Sequence, residues 1–200
     1  MGHLIHSDNW LFPDTRQVAG QPRFFEVRWP FSIRTGDVCT IALPSFIYDC
    51  TSNIRLLWWF DAPGVGRGTV ANLAHDCWYA AQYRTRWQAD TVAFYDVMRA
   101  YGVGRAKARI KQAVVLGPLG WNAWRKKTPR GIANARRLVK FVPIIDTHRI
   151  ELMLTRGALM AKLLRKADHI TDPAQADSVR SEIMQIADGR MDDVMGLHDA

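Results

Sequence analysis

Cysteine is scarce in this chain: Cys39, Cys50 and Cys77 are the only three in 200 residues. A set that is both small and odd in number excludes a disulfide framework, so the chain is expected to fold reduced, in a cytoplasm. No run of about 18 apolar residues occurs, and no membrane span is expected. Met1 to Pro13 lacks the basic-then-apolar layout of a secretory signal. Internal repeats and low-complexity tracts are missing too, which leaves one domain of ordinary size with an extension. No C-x-x-C or H-x-x-x-H spacing supports zinc at Cys50, Cys77 and His75. Gly64-Val-Gly66-Arg-Gly68 lacks the strand-then-helix setting of a phosphate loop. His3, His6, His148, His169 and His198 are scattered and are expected at the surface.

What is present is a core and a lopsided charge. With 48% hydrophobic residues the chain can bury a real interior. Residues 1–83 carry 6 basic and 7 acidic side chains, residues 84–166 carry 19 and 4, and residues 167–200 carry 2 and 8. The middle block will attract anionic surfaces, nucleic acid among them. Alternatively the acidic tail folds back on it, or pairs with it in a neighbouring subunit.

Hydrophobic periodicity gives the elements. Phe24–Trp29 alternates as a strand that continues past Pro30 into Phe31–Arg34. Thr35-Gly36-Asp37 signals a turn and Val38–Leu43 returns as a second strand. A loop over Ser45–Asn53, an apolar turn over Ile54–Phe60 and a glycine-rich linker follow. The period then lengthens to about 3.6. One helix starts near Thr69, and a second starts at Thr85, where Thr85-Arg-Trp-Gln88 reads as a capping box. Arg105–Leu116 and Trp121–Lys127 follow as helices. Beyond Pro129 the helices expected are Arg130–Phe141, Arg149–Ala167 and Pro173–Met195, the last capped by Asp172. The expected fold is therefore α+β. Residues 1–22 form an arm, residues 23–128 a core domain with a small antiparallel hairpin sheet and helices, and residues 129–200 a helical C-terminal extension with little core of its own.

One polar residue falls where apolar ones are expected. Asp90 interrupts the inner stripe of the second helix, formed by Trp87, Phe94, Val97, Met98 and Tyr101, and a buried carboxylate is costly unless it is bonded. The short Tyr83–Thr85 link forces an antiparallel helix pair, which offers His75, Asp76 and Tyr79 as neighbours. A His held by a buried Asp has its tautomer fixed for general-base work. The same trio equally serves as a buried network that pins two helices.

Three stretches resemble one family. Ile41-Ala-Leu-Pro-Ser-Phe-Ile-Tyr-Asp-Cys-Thr-Ser-Asn-Ile-Arg-Leu-Leu-Trp-Trp59 is similar to its pattern V-P-a-G-F-v-T-D-g-a-S-v-P-r-l-l-W. Ala74-His-Asp-Cys-Trp-Tyr79 is similar to its l-H-D-x-L-Y. Arg86-Trp-Gln-Ala-Asp90 with Phe94 is similar to its r-x-x-A-D-x-x-F. The family is the phage- and prophage-borne domain of unknown function one-three-five-three, and the resemblance covers about half the chain. It implies a bacteriophage setting. The leading expectation is a structural or assembly component of the virion, of the tail or head–tail region, assembled in the host cytoplasm. Its partners would be other virion proteins in multiple copies, with Arg130, Arg136, Arg137 and Lys140 facing acidic groups, and it would need no cofactor.

The H-D-x-x-Y helix with an Asp on an antiparallel partner also resembles the secreted phospholipase A2 site. That resemblance implies His75 as general base, Asp90 as its orienter, Asp76 as a calcium ligand, and Asp49–Ser52 as the metal loop that supplies Asp49. Cys50 stands where the glycine of such a loop is expected. A lipid hydrolase dependent on calcium is thus the alternative function, and a DNA-contacting virion protein using the 84–166 block is the second alternative.

Overall fold

The computed structural model describes residues 13–49 and 67–190. Cys50 to Asn53, the expected turn over 54–60, Gly64 and Gly66 lie outside the described residues, as do His3, His6 and His198. The fold is α+β, with seven helices and two three-stranded antiparallel sheets among the described residues.

The first sheet joins β1 (Thr15–Val18), β2 (Gln21–Val27) and β5 (Ile47–Asp49) in the order β1-β2-β5. Residues 15–18, read from the sequence as part of an arm, are thus a strand. They turn into β2 through Gly20, whose φ of 72° suits glycine. Pro30 does break the first strand, because it has no N–H to donate. Beyond it β3 (Phe31–Thr35) pairs with β4 (Val38–Ala42) in a second sheet, across the expected turn at Gly36 (φ 67°).

That second sheet is closed by a strand the sequence reading missed. The helix expected over Arg130–Phe141 stops at Leu138, and β6 (Val139–Pro143) pairs with β4, Ile41 opposite Lys140. Val-Lys-Phe-Val alternates and suits a pleated surface, and pairing with an open edge outweighs local helix preference. β4 is consequently a central strand buried along its whole length. Val38 and Ala42 face one apolar core, while Cys39, Ile41 and the following Leu43 face another.

The first core is built on α1 (Thr69–Ala81), which is buried on nearly every side. Its Trp78 is fully buried and donates through Nε1 to Thr40 Oγ1 at 3.0 Å, fixing the helix to the sheet. α2 runs over 86–100 as one helix, with a turn at Arg86–Gln88, a π-helical stretch at Ala89–Asp96 and a last turn at Val97–Ala100. The capping box at Thr85 is formed in both directions. α3 (Arg105–Leu116) and α4 (Pro118–Arg125) follow.

The second core is made by the C-terminal segment. α5 (Pro129–Leu138) is capped by Thr128, α6 (Thr147–Ala167) by Asp146 and α7 (Pro173–Ala187) by Asp172. Ile150, Met153, Met160, Ile183 and Ile186 bury against the outer face of β4. The expectation that this segment has little core of its own is corrected: it closes the sheet and covers its second face. Arg137, expected to face an acidic partner chain, makes a two-pronged bond to Asp188, just past the end of α7, at 2.6 and 2.7 Å. Arg28 reaches Asp168 at the end of α6, and Arg16 joins the same carboxylate, so the first sheet is tied to this segment as well.

Candidate active site

α1 and α2 run side by side and bring the expected residues together. His75 Nε2 lies 2.9 Å from Asp90 Oδ1, and Tyr79, one turn along α1, donates its hydroxyl to the same oxygen at 2.7 Å. Asp90 is fully buried and His75 nearly so. An ionised carboxylate only accepts, so Nε2 carries the imidazole proton and Nδ1 carries the lone pair. Phe94 and Tyr79 flank the ring, with centroids at 4.8 and 4.1 Å, which holds its plane.

The other oxygen of Asp90 is held by a residue the sequence reading missed. Arg86 Nη1 donates to Oδ2 at 3.1 Å and also to the carbonyls of Val115 and Leu116, which end α3. Trp87 was expected inward; it is 62% exposed, and Arg86 turns in instead. The signal was available in the i, i+4 spacing of Arg86 and Asp90. Its neighbours follow the π stretch: Ala89/Asp90, Ala93/Phe94 and Val97/Met98 are buried at every fourth position. A helix with i→i+5 bonds turns less per residue, so a spacing of four stays on one face. Such π stretches are frequent at functional sites. Gln112 was missed also; its amide reaches the Asp90 carbonyl at 3.4 Å.

Burial alone would lower the His75 pKa, but the nearby Asp76 carboxylate and the bonded Asp90 outweigh that, and the net direction is upward. Tyr79 is pushed far up by burial and by Asp90, so it stays protonated and remains a donor. Buried Cys77, beside the dyad on α1, is also pushed up by burial and is an inert thiol.

Asp76 and Asp49 meet, though not as a ligand pair alone. Asp76 Oδ2 accepts the backbone N–H of Asp49 at 2.7 Å, tying the end of β5 to α1. Its Oδ1 stands 3.8 Å from His75 Nδ1, beyond direct hydrogen-bond length. Calcium takes six to eight oxygens. Two carboxylates, one of them already bonded to an amide, fall short of that, and among the described residues no three ligating groups cluster. The described residues alone do not complete a calcium site, and Cys50–Ser52 of the expected metal loop lie outside them.

The dyad opens onto a groove of about 410 Å³. Phe46, Ile47, Leu119 and Ala123 give it apolar walls, His75 and Asp76 lie at its floor, and Lys126 and Lys127 stand on its lining. Gly120 of α4 lets that wall approach: a Cβ there would lie 1.8 Å from the Val115 carbonyl oxygen and 3.1 Å from the Tyr79 hydroxyl. The arrangement can bind an apolar chain and present an ordered base to whatever bond lies over His75. Among the described residues no helix is long and apolar enough to cross a membrane.

No curated protein and no solved structure matches the chain. The model of the family described as Protein of unknown function (DUF1353) matches residues 25–115, a stretch that runs from within β2 to α3 and contains Asp49, His75, Asp76, Arg86 and Asp90. These residues of the chain are a DUF1353 domain.

Proposed function

We propose that this domain is a hydrolase that cleaves an acyl ester of an anionic amphiphile, with His75 as general base. The observation that carries this reading is the buried His75–Asp90 dyad at the floor of an apolar groove. The His75 Nδ1 lone pair takes a proton from water as that water attacks the acyl carbonyl carbon. A tetrahedral intermediate forms, the ester C–O bond breaks, and the imidazolium returns its proton to the departing alkoxide. Asp90 orients the ring and stabilises the imidazolium, and Tyr79 and Arg86 hold Asp90 in place. The apolar walls accept the acyl chain, and Lys126 and Lys127, which share the lining with Asp49 and Asp76, offer cations to a negative headgroup.

The test is release of fatty acid from anionic phospholipid vesicles and from a short-chain ester, each with a chelator and with added calcium. Turnover that His75→Gln abolishes while the unfolding curve is kept supports the reading. Wild-type protein inactive on both substrates in every condition sinks it.

We propose the phage particle as the setting, with other virion proteins as partners. What supports this setting is the resemblance of Ala74–Tyr79 and Arg86–Phe94 to a phage- and prophage-borne family; a single exposed apolar side chain such as Ile145 needs no partner. The C-terminal segment lends this setting no support, because α6 and α7 are buried on their own sheet. Mass spectrometry of purified particles decides it: finding the chain only in the lysate and never in particles overturns this setting.

A further inference from the structure

A second pocket, of about 280 Å³, shares no lining residue with the groove. Arg136 from α5, Lys140 from β6 and Arg149 from α6 line it, beside Tyr83, Phe141 and Met153. No carboxylate is among its lining residues. Tyr83 and Phe141 stack on each other at 3.8 Å, and Trp78 meets both edge-on, so this wall is rigid.

No carboxylate among the described residues forms an ion pair with any of the three cations. Among the described residues, Arg136 donates through Nε to the Ala81 carbonyl at 2.9 Å and Lys140 donates to the Arg136 carbonyl at 3.3 Å, while Arg149 has no ion-pair partner. Carbonyl bonds aim these groups but leave their charge in place. Arg149 also sits in the first turn of a 21-residue helix, where the positive end of the helix dipole disfavours a cation and favours an anion. Burial pulls the Lys140 ammonium below its ordinary value; Arg156, Arg137 and Arg149 act in the same direction, and Asp188, already engaged by Arg137, only partly opposes them. Cations held this way by their fold relieve one another most when an anion with several oxygens enters.

We propose that this pocket binds a phosphate group, clamped by Arg136, Lys140 and Arg149. The planar guanidinium groups of Arg136 and Arg149 match the paired oxygens of a phosphate, and Lys140 supplies a point charge from the strand between them. The phosphate can be carried on a small molecule or on a nucleic-acid backbone, and the two differ in what the rest of the ligand touches. This assignment is independent of the hydrolase reading.

The experiment is calorimetric titration of the full chain with inorganic phosphate and, separately, with a short DNA duplex, at constant ionic strength. Arg149→Ala and Lys140→Met are compared with Arg105→Ala, an exposed cation on α3 outside the pocket. Each pocket variant is expected to weaken binding about tenfold, as loss of one charged hydrogen bond does, with its unfolding midpoint kept. Arg105→Ala is expected to change nothing. Saturable binding of inorganic phosphate with this pattern identifies a small-molecule phosphate site. Binding of the duplex alone, with the same pattern and a salt slope reduced by about one per lost cation, identifies the backbone. No binding of either ligand overturns the proposal, and so does binding that the pocket variants weaken no more than Arg105→Ala does.

Discussion

Asp90 receives bonds from His75, Tyr79 and Arg86 in a place no water reaches, so its loss strands three polar groups at once. Asp90→Ala is expected to cost about 3–5 kcal/mol in urea unfolding, the range for breaking a buried ion pair from one side. Asp90→Asn keeps an acceptor for Tyr79 and His75 but loses the charge opposite Arg86, and should cost less. Equal losses in the two variants would mean that shape, not bonding, is what Asp90 supplies. The dyad also fixes a pH dependence. Because the folded pKa of His75 is raised, its protonated form stabilises the fold; that contribution is complete below the ordinary imidazole pKa and is lost as pH rises through the folded value. Catalysis runs the other way, since the base must be neutral, so kcat/KM should climb through the same titration. Unfolding free energies measured across that window should lose the dependence in His75→Gln; an unchanged slope would assign the titration to another group.

Among the elements, α2 and α4 set the groove. Thr85→Ala removes the hydroxyl that caps α2 and should cost about 1 kcal/mol by denaturant unfolding, with activity little changed. Gly120→Ala is expected to do more, about 2 kcal/mol or beyond, because backbone rather than a flexible side chain stands 1.8 Å from the new methyl. It should also slow hydrolysis, since α4 must move away from Tyr79. A Gly120→Ala protein with wild-type stability would show that α4 adapts freely. The sequence carried much of this level. Hairpin, caps and helix starts were legible because each is a local pattern, and Asp90 was legible as a polar residue in an apolar stripe. β6 was not legible, because Val139–Pro143 is a strand only by virtue of the β4 edge, a partner some hundred residues away. The inward turn of Arg86 was legible only through its i, i+4 spacing to Asp90, since a stripe drawn at 3.6 residues per turn picks Trp87, and the π stretch behind it moves the buried face to a spacing of four. The groove needed both of its walls in space, and nothing in the spacing of Phe46 and Leu119 announced that they meet.

For the whole molecule, β4 is shared property. One face belongs to the helix pair that holds the dyad, the other to α6 and α7, and its free edge belongs to β6. Residues 25–115, the span the family model matches, therefore leave one face and one edge of that strand uncovered. A chain cut after Leu138 is expected to lose cooperative unfolding and to aggregate, although His75, Asp90 and both of their helices remain; a sharp transition and dispersed amide spectrum from the shortened chain would refute this. The same dependence sets a timetable during synthesis. At about 5–20 residues per second, roughly 100 residues separate the emergence of β4 from that of β6, so the strand waits on the order of 5–20 seconds at the ribosome with its edge bare. An unpaired apolar edge is a template for the neighbouring nascent chain on the same message, and slowing translation between these two strands should raise the fraction of chains lost to co-translational aggregation.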